Sequence, residues 1–291
     1  MNYDIHYLTQ YRYDGPVTDN LNSLRVRPAT TATQRCDEFH VRLDPEARIT
    51  RHIDYFGTEV LEFGVARPHE QLVIDVRARV VTSDPPAPPE GRLSELSGDD
   101  YLDAAGEFLL PMPNDPSTPI DDIVAATAGP TPLATLLNVC QVLPDRFGYQ
   151  PGATYVGSTV DDFLAVGAGV CQDFAHLSLV VLRAHGIAAR YVSGYLFSTR
   201  GAGDDEAASV EVQTHAWVEA LLPADSEDDA PVWVGADPTN RTLAGETHVK
   251  IGHGRGYADV PPTKGVYFGS AVGALEVSVK MTRSGAAAAR A

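Results

Sequence analysis

The most restrictive feature of the sequence is a helix with almost no polar face. The stretch 171–185, CQDFAHLSLVVLRAH, is apolar on nearly every side and is interrupted mainly by Asp173, His176 and Arg183. Gly186 follows it as a natural carboxy-terminal stop. A helix that is apolar all round has to be covered on all sides. We therefore expect a central, buried helix enclosed by other layers of structure.

Three strand-like runs follow this helix and supply a sheet for it to pack against. They are ARYVSGYLF (189–197), VEVQTHAWVEALL (210–222) and VWVGAD (232–237), and acidic loops separate them. Upstream, TPLATLLNVCQVL (131–143) has helical spacing, and TVDD (159–162) resembles a capping box that opens a short helix. The second part of the chain is therefore predicted to be α+β, with a buried helix packed on a mostly antiparallel sheet.

The first eighty residues show the period of strands instead. Apolar and polar residues alternate in DIHYLTQYRYDGPV (4–17) and again in QLVIDVRARVV (71–81). Shorter strand-like pieces lie around 39–43 and 60–65, and DYFG (54–57) indicates a turn between them. This pattern predicts an amino-terminal β-sandwich.

A proline-rich segment separates the two patterns. SDPPAPPEG (83–91) holds four prolines and can form neither a helix nor a central strand. We therefore place the domain boundary there, with an amino-terminal β-sandwich region over 1–88 and a catalytic core over 89–284. The alanine-rich tail, 285–291, is predicted to be disordered.

Charge and cysteine content limit the partners and the compartment. The chain has 39 Asp and Glu against 22 Lys and Arg, a net charge of -17. Such a chain is not expected to contact nucleic acid or an anionic membrane. MNYDIHYLTQ lacks the basic start and apolar stretch of a signal peptide, and Cys36, Cys140 and Cys171 are too scattered for a disulfide framework. We expect a cytoplasmic location.

The first residue of the apolar helix is a cysteine. A thiol reacts as its thiolate, and the positive end of a helix dipole stabilises the negative charge on a sulfur placed as Cys171 is. The same backbone N–H groups can hold an oxyanion. Position alone also fits a small core residue, which is how we interpret Cys140.

A base and an orienting carboxylate follow the cysteine in the chain. His215 lies in the middle of a strand, and Asp237 ends the next strand immediately before a proline. Each has an ordinary alternative, a packed strand histidine and an Asp-Pro turn. Together with Cys171 they compose a nucleophile, a base and an orienter, in which the carboxylate fixes the imidazole and the imidazolium holds the thiolate.

The same motifs resemble a known family. GVCQDFAHL, RAHGIAARYVSGYL, THAWVEALLP and VGADPTN are similar to segments of the bacterial transglutaminase-like proteins of the papain-like cysteine-enzyme group. HYLTQYRYDGPV, DYFG and ARPHEQL resemble the β-rich region that precedes the core in that family, so the resemblance covers nearly the whole chain. It implies a papain-like transglutaminase core, with Cys171 as nucleophile, His215 as general base and acid, and Asp237 as the orienter of His215.

We therefore expect a cysteine-dependent acyl-transfer enzyme that acts on an amide or peptide bond of a peptide or protein through a thioester. We favour hydrolysis, as by a cysteine protease or amidase, because no site for a second substrate is visible in the sequence. The alternatives are a cross-linking transglutaminase that uses a lysine amine, and a non-catalytic binding module on the same fold. Gln213, Thr214 and Gly256 depart from the residues usual in the family and bear on substrate preference.

The remaining site expectations are less specific. One oxyanion donor is a backbone N–H near Cys171, and the candidates for the other are Tyr149, Gln150 and Tyr155. No cofactor is expected. His248 and His253 have no cysteine or carboxylate pair at ligand spacing along the sequence, so no metal site is expected.

Overall fold

The computed structural model describes residues 1–113, 115–198, 209–212, 214–226 and 229–284. In chain order the strands are β1 (Asn2–Leu24), β2 (Gln34–Asp44), β3 (Ile49–Ile53), β4 (Glu59–Val65), β5 (His69–Thr82), β6 (Gly148–Tyr149), β7 (Ala168–Gly169), β8 (Ala189–Leu196), β9 (Ser209–Val212), β10 (Thr214–Leu222), β11 (Val232–Asp237), β12 (Thr242–Leu243), β13 (His248–Gly254), β14 (Thr263–Phe268) and β15 (Gly273–Ser284). The α-helices are α1 (Asp99–Leu109), α2 (Asp121–Thr127), α3 (Pro132–Arg146), α4 (Val160–Val166) and α5 (Cys171–Ala184). The predicted α+β class is confirmed.

The amino-terminal part is an eight-stranded antiparallel sheet that curls because one long strand, β1, belongs to both of its halves. The first half of β1 pairs with β5 and β15, and its last residues pair with β4 and β14. Alternate side chains of β1, such as Tyr3, Ile5 and Tyr7, are buried with those of β5, such as Leu72 and Ile74. The predicted sandwich is therefore built from one sheet whose halves enclose a common core.

The chain returns to this sheet after it has built the core. Strands β14 and β15 lie far beyond the predicted boundary at 88/89, yet both pair with β1. The domain bounds stay a prediction, but the amino-terminal sheet is completed by residues from the other end of the chain. The proline-rich segment 83–91 contains no helix or strand, and the predicted disordered tail lies outside the described residues.

The core is a five-stranded antiparallel sheet in the order β12-β11-β10-β8-β13, with α5 packed against it. Six apolar residues of α5 are at most 1 % exposed: Phe174, Ala175, Leu177, Leu179, Val181 and Leu182. The helix ends before Gly186, which adopts the left-handed conformation with φ of 74°. The central buried helix is thus confirmed, as is the capping box at the start of α4.

Strand β13 was not predicted from the sequence. It follows β12 along the chain but pairs with β8, on the opposite side of the sheet. Its first residue, His248, therefore returns to the region where β11 ends. Within the described residues, each helix is too short or too polar to cross a bilayer.

Candidate active site

The amino terminus of α5 is held by bonds from the segments before it. Cys171 is the first residue of the helix, and β7 just before it pairs in parallel with β6. The Asp173 carboxylate accepts hydrogen bonds from the Val170 N–H, at 2.8 Å, and from the Thr154 hydroxyl, at 2.6 Å. A Cβ at Gly169 would lie 2.4 Å from that carboxylate, so the turn requires a residue without a side chain. These contacts fix where the thiol lies.

The half-buried Cys171 side chain therefore lies at the positive end of the α5 dipole. Asp173 is the negative charge nearest to Cys171 along the helix. Its carboxylate is buried and accepts a hydrogen bond from the backbone N–H of Val170, the residue before Cys171. A carboxylate bonded in this way completes the helix start as well as repelling an anionic sulfur.

His215 and Asp237 meet where β10 begins and β11 ends. The imidazole Nε2 lies 2.7 Å from Asp237 Oδ2, and the two side chains are 10 % and 0 % exposed. Since the carboxylate takes Nε2, Nδ1 is left for the thiol. Burial alone would lower the pKa of His215, but hydrogen bonds to Asp237 and Cys171 raise it to about 10. The structure thus brings the three predicted site residues together, with the imidazole between the thiol and the carboxylate.

The Asp237 carboxylate has more partners than the sequence predicts. Its Oδ2 also accepts a hydrogen bond from Asn240 Nδ2, at 2.7 Å, and another from His248 Nε2, at 3.1 Å. Its Oδ1 accepts from the Asn240 backbone N–H, at 3.1 Å. Burial alone would raise the pKa of Asp237, but the hydrogen bonds from His215 and His248 outweigh it and hold the pKa well below its usual range.

Trp217 packs against this cluster. Its ring is 2 % exposed, is stacked near the ring of His215 and meets the ring of His248 edge-on at 5.3 Å. Side chains two residues apart on a strand face the same side of the sheet, so His215 and Trp217 share a face. Hydrogen bonds among side chains as buried as those of Asp237 and His248 are stronger than in water.

Sequence reasoning missed Asn240 and His248. Asn240 could have been found, because an Asp-Pro turn whose carboxylate accepts the N–H three residues on is a common local arrangement. His248 carried no local signal, since it reaches Asp237 only because β13 pairs with β8.

Three side chains of this cluster lie close enough together to be considered as metal ligands. The nearest atoms of His215, Asp237 and His248 lie within 4.8 Å of one another. However, both imidazole nitrogens and the Asn240 amide point at the same oxygen of Asp237, and an amide NH₂ can only donate. A cation there would have to displace these donated protons, so the residues fit a hydrogen-bonded carboxylate and not a metal centre.

The three candidates for the second oxyanion donor are placed differently. The Gln150 N–H is bonded to the Gly169 carbonyl, at 2.8 Å, and Tyr155 is 74 % exposed. Tyr149 pairs with Gly169 just before the nucleophile. The Tyr149 side chain is 55 % exposed, and its partial desolvation together with the negative charges of Cys171 and Asp237 raises the pKa of Tyr149, so its hydroxyl keeps the proton that a donor needs.

Two other histidines lie away from this cluster. His176 Nε2 accepts the Tyr257 backbone N–H at 3.2 Å, and burial lowers the pKa of His176 to about 4. His253 lies 3.1 Å from an Arg190 nitrogen, and burial lowers the pKa of His253 to about 3. Both are neutral packing histidines at physiological pH.

Sequence profiles of two protein families match the chain. Residues 3–81 match the bacterial transglutaminase-like N-terminal region, and residues 121–238 match the transglutaminase-like superfamily. The second match contains all three predicted site residues and ends one residue after the last of them.

Whole-chain comparisons find relatives of similar length. An uncharacterized protein of Mycobacterium leprae is 35 % identical over 94 % of this chain and 96 % of its own. A crystal structure from Cytophaga hutchinsonii, described as that of a candidate cysteine protease, shares the fold, with a TM-score of 0.71 at 23 % identity over 96 % of this chain and 90 % of that one. A protein-glutamine gamma-glutamyltransferase of Pseudomonas aeruginosa is 34 % identical over 45 % of this chain and 19 % of its own.

Proposed function

The chain belongs to the transglutaminase-like superfamily, and from that premise we propose that it is a cysteine-dependent acyl-transfer enzyme acting on amide or peptide bonds. One observation carries the proposal. The His215 imidazole lies between the Cys171 thiol and the buried carboxylate of Asp237, and it is hydrogen-bonded to both. A packed core histidine has no reason to connect these two groups.

The arrangement supports a two-stage reaction through a thioester. The raised pKa of His215 favours an imidazolium beside a thiolate, which attacks the substrate carbonyl carbon and moves an electron pair onto the oxygen. The Cys171 N–H and the Tyr149 hydroxyl are our candidates for holding that oxyanion. When the C–N bond breaks, His215 gives its proton to the leaving amine.

The second stage returns the thiolate. A water molecule or an amine loses a proton to His215 and attacks the thioester carbonyl, and the C–S bond breaks. Asp237 keeps the imidazole oriented through both stages without itself taking the proton. The product is an acid if water attacks and a new amide if an amine does.

We favour hydrolysis, because no site for an amine substrate was visible in the sequence. Transfer to a lysine amine is the second candidate, and the name of the Pseudomonas aeruginosa relative favours it. A binding module without activity is the third. A module that only binds would not need an imidazole that is hydrogen-bonded both to a buried carboxylate and to a thiol.

The decisive experiment follows the acyl group. The protein is incubated with glutamine-containing and other peptide amides in ¹⁸O-labelled water, with and without an excess of a fluorescent primary amine. Hydrolysis places one ¹⁸O in the acid product, whereas transfer gives an amine adduct, and mass spectrometry separates the two. We expect the ¹⁸O-labelled acid to dominate.

Two cysteine variants complete this design. Cys171→Ser should abolish turnover, and Cys36→Ser, which removes a thiol on β2 of the amino-terminal sheet, should not. Turnover that survives in Cys171→Ser would refute the proposed nucleophile. Lack of turnover across the panel, with Cys171 unreactive toward iodoacetamide, would favour the binding module.

A further inference from the structure

We propose that His248 is a positioning residue of this site, which holds the Asp237 carboxylate in place by donating a hydrogen bond from Nε2. The inference rests on the proposed function, since it names a residue that acts on His215 through Asp237. The imidazole Nε2 lies 3.1 Å from Asp237 Oδ2, the oxygen that also faces His215 at 2.7 Å. His248 does not contact the reacting atoms, so its role differs from that of His215.

The hydrogen bonds of His248 fix which of its nitrogens carries the proton. The Gly245 backbone N–H lies 3.2 Å from His248 Nδ1, and a backbone N–H can only donate. Nδ1 must therefore present its lone pair, and the proton of the neutral imidazole is on Nε2, where it points at Asp237. One imidazole thus donates to the carboxylate permanently, while His215 exchanges its proton during the reaction.

His248 is held rigidly enough for this role. It opens β13 opposite Leu196 of β8, its side chain is 4 % exposed, and the edge of Trp217 packs against it. Asp237 therefore receives donors from two strands of the sheet and from its own turn. A carboxylate with these fixed donors keeps one orientation, and the orientation of Asp237 sets that of the imidazole bonded to it.

Removing the His248 donor has a predictable effect on protonation. The titratable groups that interact electrostatically with Asp237 are His215 on β10, His248 on β13, the Cys140 thiol on α3 and the Tyr149 hydroxyl on β6. Burial opposes ionisation of Asp237 and raises its pKa, whereas the hydrogen bond from His248 favours ionisation and lowers it. Without that bond the pKa of Asp237 rises. Since the ionised form is required, activity is present above this pKa and is lost at a higher pH than in the wild type.

The test compares three substitutions in the full chain. His248→Leu removes the donor, and His248→Gln keeps an N–H near the position of Nε2. The matched control is His253→Leu, which changes another histidine on β13, a half-buried one that contacts Arg190. The rate of Cys171 alkylation by iodoacetamide is measured against pH, with thermal melts to verify folding. We expect His248→Leu to slow alkylation by about 10-fold, with the acid limb moved to higher pH. His248→Gln should recover most of the rate, and His253→Leu should stay within about 3-fold.

A wild-type measurement keeps the inference testable if His248→Leu does not fold. The ¹⁵N chemical shifts of the His248 ring should show a neutral imidazole protonated at Nε2. A proton on Nδ1, an unmoved acid limb in a folded His248→Leu, or an equal shift in His253→Leu would overturn the proposal. Alkylation and NMR need no substrate, so they decide the role of His248 even if the peptide panel shows no turnover and the proposed function fails.

Discussion

Two carboxylates on neighbouring strands of the core sheet, the largely buried one of Glu219 and the fully buried one of Asp237, have different kinds of hydrogen-bond partner. Glu219 on β10 accepts hydrogen bonds from Arg190 Nε, at 2.6 Å, and from Lys250 Nζ, at 2.8 and 2.6 Å to its two oxygens. Asp237 on β11 accepts from two imidazoles and an amide. Both are polar clusters in the same sheet, and sequence composition alone would not distinguish them.

The difference lies in what the partners can do with a proton. The Arg190 guanidinium is permanently charged and the Lys250 ammonium is bonded to both oxygens of Glu219, so the Glu219 cluster is a static ion network. Burial would raise the pKa of Glu219, but the charges of Lys250 and Arg190 lower it to about 2. The partners of Asp237 include imidazoles, a group that can both donate and accept a proton, and one of them is hydrogen-bonded to a thiol. We infer that one cluster serves stability and the other chemistry.

The largest expected effect separates the two clusters by activity. His215→Ala removes the proton carrier and should lower kcat/KM by about 1,000-fold, while Glu219→Gln should leave kcat/KM within about 3-fold. Steady-state kinetics on the substrate found in the ¹⁸O experiment measures both. A matched loss in Glu219→Gln at a temperature where it is folded would show that the ion network also takes part in the chemistry.

The next effect lies within the Asp237 cluster. Asp237→Asn should reduce kcat/KM by about 10- to 100-fold, less than His215→Ala, because an amide oxygen can still accept the imidazole N–H. The amide NH₂ would then face the Asn240 N–H where Oδ1 accepts it now, and this clash of donors accounts for the remaining loss. Losses as large as in His215→Ala, with folding verified by circular dichroism, would contradict the division of roles.

The contrast between the clusters also shows how far the sequence can be interpreted. The helix start at Cys171 and the strands carrying His215 and Asp237 follow from local period. The strand predicted over 210–222, however, corresponds to two strands, since β9 pairs with β15 of the amino-terminal sheet and only β10 belongs to the core sheet. The meeting point of the three site residues was supported by the family resemblance. The tyrosines and aliphatic residues facing inward on β1 and β5 were predictable for the same reason, since alternation is local.

What the sequence did not show depends on pairing over long distances. β13 lies beside β8, and β15 beside β1, which no local pattern encodes. His248 and Lys250 both lie on β13, so each of the two clusters lacked a member until that strand was placed. A histidine eleven residues after the candidate aspartate has no spacing rule that would identify it as a partner.

The third effect concerns the free energy of unfolding. Glu219→Gln leaves the largely buried Arg190 and Lys250 without their counter-charge, which should cost about 3 kcal/mol. Urea denaturation measures it. The matched control is Glu38→Gln, which breaks an ion pair with Arg79 in which both side chains are 49 % exposed. That change should cost less than about 0.5 kcal/mol. Equal values for the two variants would mean that burial does not strengthen the Glu219 network.

The smallest expected effect is the pH dependence of stability, and it has a different sign in the two clusters. The pKa of Glu219 is lowered in the folded protein, so its contribution is complete above its ordinary value of 4.5 and is lost as the pH falls toward about 2. The pKa of His215 is raised, so its contribution is complete below 6.5 and is lost as the pH rises toward about 10. Glu219→Gln should therefore flatten the acid side of the stability curve, while His215→Ala flattens the alkaline side. The pKa of Asp237 is also lowered, so Asp237 contributes to the loss of stability at acid pH in the wild type and in Glu219→Gln alike. The acid limb of the Glu219→Gln stability curve should therefore shrink without vanishing. Urea midpoints measured at one-unit pH steps give both limbs. If His215→Ala left the alkaline limb unchanged, the imidazole would not be held as a cation between Asp237 and Cys171, and the two clusters would differ in composition but not in how they handle protons.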